Sequence, residues 1–156
     1  MKQENVYCVI KVYEQLIAEI TVLKDAIQNA HLNVRGNNFY SYHLLFERVG
    51  NELDTAITVD ELGERIGALD VSYIIPASTL KAVNSSKILS SYGDIPASHD
   101  GYTLNCYLIN AIKLVVGLLC DSSQYFTSLG ENADANKLQE YEYQVNHLLY
   151  LLQSQC

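Results

Sequence analysis

From Val9 the apolar positions run Val9, Tyr13, Leu16, Ile20, Leu23, Ile27 and Ala30, in alternating steps of four and three. That spacing lays one stripe along a helix, so it predicts a long first helix. Four residues beyond Ile27 stands His31, which the same stripe places on the buried side near the helix C-terminus. "NVRGNN" then interrupts the pattern, with Gly36 and Asn37 suited to positive φ in a turn. A second helix is predicted from Phe39 towards Leu69, because His43, Phe46 or Glu47, Gly50, Leu53 and Ile57 recur every three or four residues. Gly50, Gly63 and Gly67 each weaken it by about 1 kcal/mol relative to alanine, so packing must compensate. "TVDE", Thr58 to Glu61, has the form of a capping box and follows the β-branched Ile57. A kink or restart is therefore predicted between residues 54 and 60.

The stretch from Asp70 to Gly101 holds both prolines and many serines, and reads as a long connection with a short helix over "STLKAVNSSKIL". Leu104, Leu108, Ile112, Val115 and Leu119 describe a third helix from Tyr102 to about Leu129, apolar over most of its circumference and expected to be the most buried. Gly130 ends it. A fourth helix carries Leu138, Tyr141, Val145, Leu148 and Leu152 on one face. Four long helices and no strand alternation give an all-α fold, a four-helix bundle formed as a single domain over residues 1–156.

Composition narrows the function without naming it. The chain is 156 residues long and 49% apolar, enough for one real core. No run of about 18 uninterrupted apolar residues is present, and the first fifteen residues mix in charges, so a membrane span or signal peptide is not expected and the cytoplasm is the expected location. Ten Lys and Arg against 18 Asp and Glu give a formal charge of −8, whereas duplex DNA demands clustered cations. Acidity suits cation handling, but it is also a common route to solubility. Cys8, Cys106, Cys120 and Cys156 lack C-x-x-C spacing and lie among apolar residues, so they read as small buried hydrophobes and not as a zinc or disulfide framework.

His43 and Glu47, four apart on the second helix, stack an imidazole and a carboxylate on one face, within reach of His31 at the end of the first. Asp60 and Glu64 repeat the spacing. Such donors suit iron, manganese or zinc, and bundles build metal sites from inward carboxylates and histidines on facing helices. Each residue also has a plain alternative: a histidine beside an apolar face is more often a hydrogen-bonded core residue, and acids four apart are common on solvated helices. His99 lies in the long connection, and His147 has no acid four residues away on its own helix.

"HLNVRGNNFYSYH" followed by "FE", then "DELGERIGAL", and later "PASTLKAVNSSKI", resembles in order the motifs of the Dps family, the miniferritins. The resemblance spans about residues 9 to 152. It implies a ferritin-like four-helix bundle with its short helix in the second-to-third connection, assembled as a hollow homododecamer. It further implies a ferroxidase: iron(II) is bound at sites shared by two subunits, oxidised with hydrogen peroxide and stored as ferric mineral, with zinc able to substitute. Carried over by position, His31, His43 and Glu47 would come from one subunit and Asp60 and Glu64 from its partner, as metal ligands and catalytic residues. DNA binding in the family depends on a lysine-rich tail, and here the segment before the first helix carries only Lys2, so none is expected.

Three positions depart from the family pattern. Leu32 stands where tryptophan is usual, in a chain with twelve tyrosines and no tryptophan. Glu47 stands where aspartate is usual, and its extra methylene moves the carboxylate outward. Asp60 follows His43 by seventeen residues, about two more than the pattern. In a continuous helix, two residues at about 100° each would turn Asp60 and Glu64 away by about 200° and put Thr58 and Leu62 in their place. The alternative function is thus a Dps-like shell protein with an altered metal site and a structural or interaction role.

Overall fold

In the computed structural model, which describes residues 1–156, the first stripe becomes one uninterrupted helix, α1 (Gln3–Asn33). Its stripe residues from Val9 to Ala30 are all buried, as the spacing requires. Arg35 closes its end by donating to the carbonyls of Leu32 and Val34. In the turn that follows, Gly36 takes positive φ as expected, but the second left-handed residue is Asn38 (φ 59°) and not Asn37. Asn38 is the residue immediately before α2 (Phe39–Ala56), and asparagine tolerates that conformation better than most side chains.

The predicted restart is present. Ile57 and Thr58 are extended, and α3 (Val59–Leu69) begins anew with the Thr58 hydroxyl accepting from the Glu61 N–H at 3.0 Å. Lys24 of α1 spans the break: its ammonium donates to the Ile57 carbonyl at 2.9 Å and lies 3.2 Å from Asp54. A carbonyl that a continuous helix would have consumed is therefore satisfied from a neighbouring helix.

The connection carries two short helices in place of the single one expected, α4 (Thr79–Ser85) and α5 (Lys87–Tyr92), hinged at Ser86. The cause lies on α1. Glu19, fully buried, accepts from the Ser86 hydroxyl at 2.5 Å and from the backbone N–H groups of Lys87 at 3.0 Å and Ile88 at 3.4 Å. A carboxylate at that point favours a new helix start over continuation of α4.

α6 (Gly101–Ser128) starts from Asp100, whose side chain accepts from the Thr103 N–H, and α7 (Asn132–Gln153) follows the positive-φ Gly130. Helices α1 and α2–α3 pair, as do α6 and α7; the two pairs face each other through α1 against α6 and α2 against α7, while α4 and α5 lie along α1. One apolar cluster runs through all four walls, including Leu16, Phe46, Leu108, Ile112, Val115 and Leu148. A buried polar knot ties three helices together. Asp134 of α7 accepts from the Tyr13 hydroxyl at 2.7 Å and takes a two-pronged contact from Arg65 at 2.9 and 2.7 Å.

Two expectations about burial are corrected. α1 and not α6 is the most buried helix, with fifteen buried residues against thirteen, because it packs against five other helices. The cysteines are not core residues: all four are free, Cys8, Cys106 and Cys120 are half-buried and Cys156 is exposed. Cys8 precedes the buried Val9, Cys106 lies between the buried Asn105 and Tyr107, and Cys120 follows the buried Leu119. Each of these three flanks the core-facing stripe of its helix instead of belonging to it. By length and composition alone α6 could cross a membrane, although Asn105, Asn110 and Lys113 interrupt it; half of its most apolar stretch is packed inside the bundle.

Candidate functional site

The turn between α1 and α2 brings His31 and His43 into direct contact. Their rings stack with centroids 4.1 Å apart and planes 23° from parallel. His31 Nδ1 lies 3.1 Å from the carbonyl oxygen of His43, and His43 Nδ1 lies 3.1 Å from the carbonyl oxygen of His31. A carbonyl can only accept, so each Nδ1 is the donor and carries the proton. In the neutral rings both Nε2 atoms then keep a lone pair, the arrangement a metal ligand needs. Phe39 stacks on His43 at 4.9 Å and fixes that ring further. Both histidines are half-buried, so His31 is less enclosed than its stripe suggests.

Glu47 is exposed, one turn beyond His43. It shares with His31 an open cleft of about 380 Å³ between α1 and α2, bordered also by Lys24, Asp25, Gln28 and Asp54. Imidazole nitrogens and a carboxylate are a borderline nitrogen and oxygen donor set, suited to ferrous iron or zinc. Leu32, where the family pattern has tryptophan, is exposed next to His31.

Asp60 and Glu64 lie elsewhere. Both are exposed on α3, whose core side is formed by Leu62 and Ile66. Glu64 borders a different cleft, of about 430 Å³, with Glu61, Arg65, Asp134, Lys137 and Tyr141. There Lys137 pairs with Glu61 at 2.8 Å, and this holds the Glu61 carboxyl below its usual range. Within one chain no three His, Cys, Asp or Glu side chains gather closely enough to hold a metal ion. The break at Ile57–Thr58 thus keeps both acids on the outside of the bundle, and a single copy does not bring them to the histidines.

One pairing is not evident in the sequence. His147 of α7 has its acid on α2, with Nε2 3.4 Å from Glu52 Oε2. A search for acids four residues away along one helix cannot find a partner on another.

No family model and no curated protein matches the sequence. Solved structures do. The chain is similar to a Dps protein from Bacillus brevis at 23% identity and a TM-score of 0.81, covering 99% of this chain and 98% of that one. It is similar to the Dps protein from Vibrio cholerae O1, described as a member of a broad superfamily of ferritin-like diiron-carboxylate proteins, at 19% identity and a TM-score of 0.85 over 99% and 92%. An archaeal Dps homologue from Halobacterium salinarum gives 18% identity and a TM-score of 0.84 over 99% and 82%. The chain has the fold of the Dps proteins, a ferritin-like four-helix bundle.

Proposed function

We infer that the protein is a miniferritin acting as a ferroxidase: it binds iron(II) at sites shared between two copies, oxidises it with hydrogen peroxide and stores the ferric product inside a hollow homododecamer. The observation that carries this reading is the reciprocal His31–His43 pair, which leaves a lone pair on each Nε2, with Glu47 one helical turn beyond His43, in a chain with the Dps fold. His31, His43 and Glu47 bind the ferrous substrate from one copy. Asp60 and Glu64, exposed and unable to reach them within the same chain, are supplied by a second copy. Imidazoles suit the ferrous ion and carboxylates its harder ferric product. Two irons each give one electron, the peroxide O–O bond breaks to yield water-level oxygen, and no hydroxyl radical is released. Iron is substrate and cargo here, and zinc competes for the same donors.

The protein works as one domain in the cytoplasm, and its charge of −8 argues against duplex DNA as a partner. A shell protein with an altered site is the second reading, favoured by the two extra residues before Asp60 and by the exposed Leu32 where tryptophan is usual. Native mass spectrometry and stopped-flow absorbance test both. Anaerobically loaded wild-type protein should oxidise iron(II) on peroxide addition faster than iron alone, as a twelve-chain assembly, and H31A/H43A and E64A should each be slower. A wild-type rate equal to that of free iron, or one unchanged by both variants, refutes the ferroxidase and leaves the shell.

A further inference from the structure

Helix α2 borders a second cleft, facing α7, of about 390 Å³ and lined by Asn51, Glu52, Thr55, Tyr143, Gln144 and His147 among others. Three of these residues, Glu52, Gln144 and His147, carry atoms that can donate to a cation. Glu52 Oε1 accepts from Arg48 Nε at 2.9 Å, which fixes the carboxylate and leaves Oε2 3.4 Å from His147 Nε2. The His147 ring is in turn stacked on Tyr150, centroid to centroid 6.2 Å. Gln144, one helical turn before His147, has its side-chain oxygen buried with no hydrogen-bond partner.

A separation of 3.4 Å is longer than an ordinary N–H···O hydrogen bond. It is the separation of adjacent ligands on a common ion: donors about 2.1 Å from a metal, at a tetrahedral or octahedral angle, lie roughly 3.0–3.4 Å apart. We propose that Glu52, Gln144 and His147 form a second binding site, for a divalent transition-metal cation, distinct from the His31–His43 pair. An imidazole nitrogen, a carboxylate oxygen and an amide oxygen select borderline ions such as zinc, cobalt or ferrous iron over magnesium or calcium, with water completing the coordination. Arg48 neutralises part of the Glu52 charge, so the site binds less tightly than one with a free carboxylate pair.

Zinc titration of the full chain by calorimetry tests this, with H31A/H43A as the background that removes the first pair. That variant should retain one zinc per chain, and adding E52Q or H147A should weaken this binding at least tenfold while far-UV circular dichroism stays unchanged. In the H31A/H43A background, substoichiometric cobalt(II) should broaden the His147 imidazole resonance. The proposal is overturned if H31A/H43A binds no zinc, if its binding survives both E52Q and H147A, or if the His147 resonance does not broaden. Loss of one equivalent between wild type and H31A/H43A reports on the first pair alone, so the two sites fail independently.

Discussion

Replacing Glu19 should be among the costliest single changes in this chain. Its carboxylate is fully buried and accepts from the Ser86 hydroxyl and from the N–H groups of Lys87 and Ile88, which start α5. In E19A all three donors lose their acceptor in a dry environment, and the side-chain volume is vacated. Hydrogen bonds to a charged group contribute about 1.5–3 kcal/mol each, but three on one carboxylate are not additive, so the expected loss is about 3–5 kcal/mol. E19Q keeps the volume and one acceptor while turning an N–H towards another N–H, for about 1.5–3 kcal/mol. Against a total stability of about 5–15 kcal/mol, either change is large. Urea unfolding followed by circular dichroism, at one fixed chain concentration because the proposed assembly would shift the midpoint, measures both against the exposed control E140A. An E19A cost within about 0.5 kcal/mol of that control, or an E19Q cost equal to that of E19A, would refute the assignment of this carboxylate as the pin between α1 and α5.

Two further outcomes follow from packing and from pH. A Cβ at Gly101 would lie 2.1 Å from the Tyr42 ring, so G101A must displace a ring that is only 5% exposed. Overpacking of this kind costs about 1–3 kcal/mol, and calorimetry should show the Tm falling by roughly 2–10 °C; an unchanged or higher Tm means that the ring has room to move. Burial, with a hydrogen bond to Asp134 for Tyr13 and to Glu61 for Tyr141, raises both phenols above their ordinary value of about 10. A raised value means that the folded state favours the neutral phenol. The stability is therefore complete below about pH 10 and is lost as pH rises past it, at up to about 1.4 kcal/mol per pH unit for each phenol. Urea midpoints should fall above about pH 10 and fall less steeply in Y13F/Y141F; equal slopes would count against the two phenols as the cause.

The long helices are legible in the sequence because each buries one continuous stripe, as the run from Val9 to Ala30 does. The restart at Thr58 is legible because a capping box is a local signal that needs no partner. Ser86 is not recognisable as a hinge, because the residue that makes it one, Glu19, is sixty-seven positions away. The same holds for chemistry. His31 and His43 can be paired across a short turn, but the carbonyl contacts that set their tautomers depend on how the two helices cross. His147 is unaccompanied along its own helix, and only the packing of α7 on α2 supplies Glu52.

The junction at Ile57–Thr58 also bears on how this chain tolerates changes in length. Neither flank continues the other's hydrogen-bond ladder: the Ile57 carbonyl is taken by Lys24, and α3 starts from its own cap. A residue gained or lost in a continuous helix rotates everything downstream by about 100°. Here the same change should be absorbed like slack in an expansion joint, with Leu62 and Ile66 still turned inward and the acids beside them still turned out.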